Sequence, residues 1–233
     1  MNVASLRAEV SATLDHVPID FGGGCSVSKA TVLAHILKSE KIRKSIDIGI
    51  YRGRSYFPQA LVHTKYTRGK VIGIDPYSKA DAMEYDEKEL QAEITQFVDT
   101  TDFDELYATV EGLRTQLHVE EGSEIMRTTS DAAAVALAGQ KFGLIHIDGN
   151  HDTEPVLNDV RNYLPLLDPS NGFLVLDDIS WRSVRPAVDL VTSQMTLLYA
   201  RVDTFNDYAV FWNGTSSTKK AKLRASIALA GEN

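Results

Sequence analysis

Short apolar runs recur along the chain, separated by longer stretches that carry a single apolar stripe. The runs fall at residues 45–49 (SIDIG), 70–75 (KVIGID), 117–120 (LHVE), 142–148 (FGLIHID) and 172–177 (GFLVLD). Runs apolar on both faces are what strands look like when helices cover a parallel sheet on each side. Between them the period lengthens: residues 152–167 place Val156, Leu157, Val160, Tyr163 and Leu164 at helical spacing, with Pro155 tolerated in the first turn. Strands alternating with helices predict an α/β fold built on a doubly wound sheet. Residues 196–202 and 207–212 (DYAVFW) flank a short link at 203–206 and predict an antiparallel hairpin.

Two segments break this rhythm. Residues 1–40 hold two predicted helices joined by Phe21-Gly-Gly-Gly-Cys25, an N-terminal helical extension to a domain at 41–215. Residues 77–116 form a long acidic insertion carrying Tyr85 and Tyr107, either a lid over a ligand crevice or an inert packed hairpin of helices. A tail follows at 216–233, where Lys219, Lys220, Lys222 and Arg224 read as a solvated helix face.

Composition narrows the picture. The 233 residues are 43% hydrophobic and 24% charged, with a net charge of −8, the balance of an ordinary globular chain. That charge argues against a nucleic-acid partner, which needs clustered Lys and Arg. No apolar run approaches the ~18–20 residues that span a bilayer, and the N-terminus lacks a signal-peptide core. A cytoplasmic protein with no membrane partner is expected. Asn213-Gly-Thr is then a turn sequence rather than a glycosylation acceptor. The single cysteine, Cys25, cannot form an internal disulfide, and no Cys/His set has zinc spacing.

Chemistry concentrates at the carboxyl ends of the predicted strands, where α/β sheets bind ligands. Asp75, Asp148 and Asp177 end three of them, Asp178 follows the last and Asp47 sits inside the first. Any one of these could be a helix cap. Several on one edge repel one another unless a ligand or cation offsets the charge. The first turn, Asp47-Ile-Gly49-Ile-Tyr-Arg-Gly53-Arg-Ser55, supplies glycines for close backbone approach but neither a dinucleotide nor a phosphate-loop fingerprint. Asp75 follows Gly53 by 22 residues, the spacing of an acid that grips ribose hydroxyls. A nucleoside without a diphosphate is the implied ligand.

Over residues 40–215 these features resemble the class I S-adenosylmethionine-dependent methyltransferases, whose Rossmann-like seven-stranded sheet carries helices on both faces. The resemblance implies that Asp47, Gly49, Gly53 and Ser55 hold the methionine part of S-adenosylmethionine and that Asp75 binds its ribose. Gly122 and Ser123 would face the adenine, and Asp148 would also border the cofactor.

Asp148-Gly-Asn-His151 is followed after 29 and 30 residues by Asp177-Asp178, about one strand–helix–strand unit later. Hard oxygen ligands without a thiolate suit Mg²⁺ or a similar divalent ion; the bland alternative is that Asp148 and Asp152 cap a helix and Asp178 is a turn residue. The segment IDGNHDTEPVLNDVRNYLPLLDPSNGFLVLDDI resembles the macrocin-type sugar O-methyltransferases of natural-product pathways and, more distantly, catechol O-methyltransferase. That resemblance makes Asp148, Asp177 and Asp178 metal ligands and His151 the general base. Asn150 and Asp152-Thr153 depart from the commoner motif, which leaves the substrate open.

The expected reaction is metal-assisted O-methylation of a hydroxylated small molecule, a sugar or catechol-like ring, at one of two vicinal hydroxyls. Metal-free methylation and a non-catalytic cofactor-binding scaffold are the competing readings. His146 reads as a packed strand histidine, Cys25 as a substrate-mouth or small buried residue, and Trp181 with Arg182 as substrate contacts or a hydrophobic anchor. If the chain forms a homo-oligomer, the N-terminal helices are the expected surface.

Overall fold

The computed structural model describes residues 2–19, 24–86, 88–203 and 206–232. Its strands are β1 (Lys44–Ile48), β2 (Lys70–Ile74), β3 (Ser123–Met126), β4 (Leu144–Ile147), β5 (Phe173–Asp177), β6 (Thr196–Asp203) and β7 (Asn206–Trp212). The helices in chain order are α1 (Val3–Leu14), α2 (Val27–Ser39), α3 (Tyr56–Val62), α4 (Lys79–Ala82), α5 (Gln91–Thr100), α6 (Phe103–Gln116), α7 (Ser130–Ala136), α8 (Thr153–Tyr163), α9 (Arg185–Gln194) and α10 (Ser217–Gly231).

The strands form one seven-stranded sheet in the order β3-β2-β1-β4-β5-β7-β6. β1 to β5 run parallel, and β7 joins β5 antiparallel as part of the expected hairpin with β6. The order reverses between β1 and β4, which opens a crevice at their carboxyl ends. Every residue of β4 and β5 is buried, as the unbroken apolar runs require.

Alternate strand residues feed two cores. Val71, Leu144, Phe173, Val175 and Trp212 pack with α1, α2, α3 and α10, while Ile46, Ile48, Ile145, Leu174 and Leu176 pack with α7, α8 and α9. The N-terminal helices therefore belong to the sheet's own core: α2 is buried continuously from residue 28 to 34. In the tail, Lys222 and Arg224 are exposed, whereas Lys219 pairs with Glu40 at 2.6 Å.

One expectation needs correcting. The third strand is not 117–120 but Ser123–Met126; Leu117 closes α6, His118 turns back with φ 55°, and a short 3₁₀ turn covers Glu120–Gly122. A four-residue strand that starts with Ser and Glu has too little apolar pattern to stand out. Of the two readings of Cys25, the small buried residue holds, since it lies in the core; residues 21–23 of the glycine link, and 204–205 of the hairpin link, lie outside the described residues.

Candidate active site

A polar chain crosses the sheet at the switch point. Asp47 Oδ2 accepts from Gln59 Nε2 at 3.0 Å, and its Oδ1 lies 2.6 Å from His146 Nδ1. The other ring nitrogen of His146 lies 3.1 Å from Asp177 Oδ1. Asp177 Oδ2 pairs with the Lys29 ammonium, which also donates to Asp148 Oδ2 at 3.1 Å. Asp47 and His146 are fully buried, Lys29 and Asp177 nearly so. Buried ionised groups persist only when paired, and here each carboxylate meets a nitrogen donor.

Asp178 completes the centre from an unusual backbone. Neighbouring strand residues point to opposite faces; Asp178, just past β5, takes a left-handed φ of 51°, and its carboxylate lies with Asp148 and His151 while that of Asp177 lies with Asp148 and His146. Non-glycine residues in this region carry strain that the surrounding structure must hold in place.

His151, in the turn before α8, lies between carboxylates. Its Nδ1 is 2.9 Å from Glu84 Oε1, which also accepts from the His151 amide at 3.0 Å. Its Nε2 is buried, 2.8 Å from Asp178 Oδ2 and 3.5 Å from Asp148 Oδ1. Burial disfavours charge on this ring, but Asp178 and Glu84 outweigh it and hold the imidazole well above its usual range. Burial likewise works against Asp148, and Lys29 and His151 outweigh it and keep that carboxylate below its usual range. Trp181 walls this side, its ring centre 5.0 Å from that of His151.

The centre opens into a cavity of about 790 Å³ that also reaches Gly49, Tyr51 and Asp75. A pocket this size suits a nucleoside and a small second molecule. Gly49 takes φ 77°, and a Cβ there would sit 1.9 Å from the Asp148 carbonyl oxygen, so only glycine lets the β1 turn pass β4 this closely. Asp75 accepts from the amides of Tyr51 at 2.9 Å and Tyr77 at 2.8 Å. Burial pushes its carboxyl up to about 6, against the pull of those two amides.

The insertion roofs the cavity with Ile94, Phe97, Phe103 and Leu106. It is clasped to the start of α8: Asn150 Nδ2 donates to the Met83 carbonyl at 3.0 Å, and Asp152 accepts from the amides of Tyr85 and Asp86 at 2.8 Å each. Asp86 returns the favour by accepting from the Thr153 amide at 2.9 Å, capping α8 from outside the helix. Asp152 therefore does not cap its own helix, and Asn150 and Asp152, the departures from the commoner motif, are the clasp.

A family model described as a methyltransferase domain matches residues 46–179, more than half of the chain. The chain belongs to this methyltransferase family. No curated protein sequence matches it. Among solved structures, this methyltransferase is similar in fold to the O-methyltransferase NovP, with a TM-score of 0.65 and 11% identity over 91% of this chain and 98% of that one. It is similar to the O-methyltransferase TomG from Streptomyces achromogenes, in complex with SAM (TM-score 0.59, 11% identity, 90% of each chain). The SAH complex of an O-methyltransferase from Bacillus cereus gives 0.59 at 13% identity, covering 89% of this chain and 90% of that one.

Of the residues singled out in the sequence of this methyltransferase, Gly49, Asp75, Asp148, His151, Asp177 and Asp178 share the cavity. Others do not reach it. Asp47 is spent on His146 and Gln59, Gly53 packs against the Phe57 ring, and Ser55 is buried at the start of α3. Gly122 and Ser123 are misplaced by the strand error: Ser123 pairs with Val71 at the opposite end of the sheet, and a Cβ at Gly122 would strike Thr64. The loop that does follow β3 brings Thr129, Ser130 and Asp131 to the cavity. Thr129 caps α7, a signature legible before the alanine run. Sequence reasoning also missed Lys29 and Glu84. A lysine one residue before the apolar run that starts at Ala30 was the available signal for the first; nothing distinguishes Glu84 from the other acids of the insertion. Tyr85 is exposed and reaches the clasp only through its amide, and Tyr107 packs on Tyr77 outside the cavity.

Proposed function

We propose that the chain is an S-adenosylmethionine-dependent O-methyltransferase that acts on a hydroxyl of a small molecule, one of a vicinal pair on a sugar or catechol-like ring, with help from a divalent cation. The observation that carries this reading is His151 Nε2, buried and facing Asp148 and Asp178 in the cavity that Asp75 and Gly49 line. A nitrogen so placed suits taking the proton of an acceptor hydroxyl.

Bound S-adenosylmethionine supplies a methyl group activated by its sulfonium, and a bound divalent ion supplies the charge that acidifies a coordinated hydroxyl. The chain's own residues supply the rest. Asp75 presents its remaining acceptor positions to ribose hydroxyls, and Gly49 lets the ligand approach the backbone. Thr129, Ser130 and Asp131 border the base end. Asp148 offers carboxylate oxygens to two adjoining clusters, one with Asp177 and His146 and one with Asp178 and His151, and hard oxygens of this kind suit Mg²⁺. Carboxylates shared with a cation pull less on His151, which lowers its proton affinity toward the range a base needs. Glu84 fixes the ring through Nδ1. The insertion covers one side of the cavity with apolar side chains, and Trp181 flattens its wall beside His151, which suits a ring-shaped acceptor.

A second reading keeps the methyl transfer and dispenses with the metal, and one observation favours it: the Lys29 ammonium already sits between Asp148 and Asp177. Methyl transfer to a panel of catechols and glycosides, with and without EDTA, separates the two. Loss of transfer in EDTA with recovery on added Mg²⁺ is expected; full transfer in excess chelator overturns the metal. His151→Ala should lower the rate about 10²–10⁴-fold at saturating cofactor, and an unchanged rate would remove His151 as the base.

A further inference from the structure

Lys29 is the feature to which the metal-assisted reading gives no role. It lies in the first turn of α2, after the Ser26 cap that accepts from its amide at 3.0 Å, so its charge stands at the positive end of a helix. It is 3% exposed, which disfavours an ammonium further. What holds it there is the pair of carboxylates, with Nζ 3.1 Å from Asp148 and also against Asp177. These are two of the three residues whose oxygens would ligate a divalent ion.

We propose that Lys29 is the resident cation of the acidic centre and that a divalent ion enters only by displacing it from Asp148 and Asp177. This rests on the metal reading above. An ammonium and a divalent ion cannot share the same carboxylate oxygens without strong mutual repulsion. The lysine stem has four flexible carbons and borders the cavity, so the ammonium has somewhere to go. The exchange keeps the carboxylates compensated: without metal, Lys29 prevents Asp148, Asp177 and Asp178 from repelling one another apart, and with metal it is released toward the acceptor space. Metal affinity is therefore set by competition within the chain. The protein would discriminate against monovalent ions, which bring no more charge than the lysine they replace.

The test is Mn²⁺ binding to the full chain, read from the EPR signal of free Mn²⁺, in the wild type and in Lys29→Met, which keeps the length of the side chain without its charge. The variant should bind Mn²⁺ at least tenfold more tightly, and Mn²⁺ should raise its melting temperature more than that of the wild type. Equal or weaker binding by folded Lys29→Met overturns the proposal while leaving the metal reading in place. Binding in neither protein overturns the metal reading as well, and S-adenosylmethionine calorimetry on the same samples shows whether the methyltransferase reading survives it. If Lys29→Met does not fold, the wild type answers alone through reductive methylation followed by peptide mass spectrometry. Mg²⁺ should increase labelling of Lys29 several-fold; unchanged or reduced labelling overturns the displacement.

Discussion

On the β2 side of the cavity Asp75 is held by two backbone amides, while on the β4–β5 side Asp148 and Asp177 are held by Lys29 and His146, and Asp178 faces His151. The residue type and the position at a strand end are the same; the partners are not. Amides are fixed neutral dipoles: they orient a carboxylate but leave its charge uncompensated, and burial then raises Asp75 to about 6. Side-chain cations compensate the charge, and Asp148 stays below the usual carboxylate range despite equal confinement. One side thus holds its carboxylate with neutral amides, and the other balances its carboxylates with side-chain cations.

The comparison breaks most severely at Asp177. Asp177→Ala leaves Lys29 and His146 without their shared partner, and removing one member of a buried pair costs about 3–5 kcal/mol. Chemical denaturation should show that loss; a variant within about 1 kcal/mol of the wild type would mean that the polar chain contributes little to the fold. On the other side, Asp75→Asn should leave the fold intact and weaken S-adenosylmethionine binding about 10–100-fold, the worth of one or two charged hydrogen bonds. The pH dependence has a definite sign. With its carboxyl raised to about 6, Asp75 is ionised above that pH and protonated below it, so calorimetric affinity should fall as pH drops through 6. Asp75→Asn should flatten that dependence; if the slope persists, another group sets it.

Smaller effects sharpen the same contrast. Glu84→Gln keeps the shape of the contact to His151 and removes its charge, and should lower kcat about tenfold with cofactor affinity unchanged, as outer partners of a functional histidine do. A parallel loss of cofactor affinity would show that Glu84 shapes the cavity instead. Asp152→Ala should be mildest, releasing two amides of the insertion at about 1–2 kcal/mol. Hydrogen exchange would report it as faster exchange confined to residues 78–90, and unchanged protection there would assign the closure of the insertion to its apolar roof.

Much of this was legible in the chain. The runs at 45–49, 70–75, 142–148 and 172–177 became β1, β2, β4 and β5 because buried strands advertise themselves by unbroken hydrophobicity. The strand-end acids were legible for the same reason, since a charged residue ending an apolar run has few explanations. The edge strand β3 escaped because only one of its residues is buried, and that residue is a serine. The adenine side was misassigned with it: residues 122–123 enter the strand, and a ligand site belongs to the residues that leave it.

The sequence alone determined the α/β layering, the switch point and the acids that border it, because local periodicity and strand ends are properties of neighbouring residues. Only the tertiary structure decided what those acids meet. Lys29 reaches Asp148 at a sequence separation of 119, and Glu84 reaches His151 at one of 67. Such pairings have no period and no spacing rule, because they are set by how α2 and the insertion pack over the sheet. That packing turns four like-charged strand ends into one amide-held carboxylate and one cation-balanced centre.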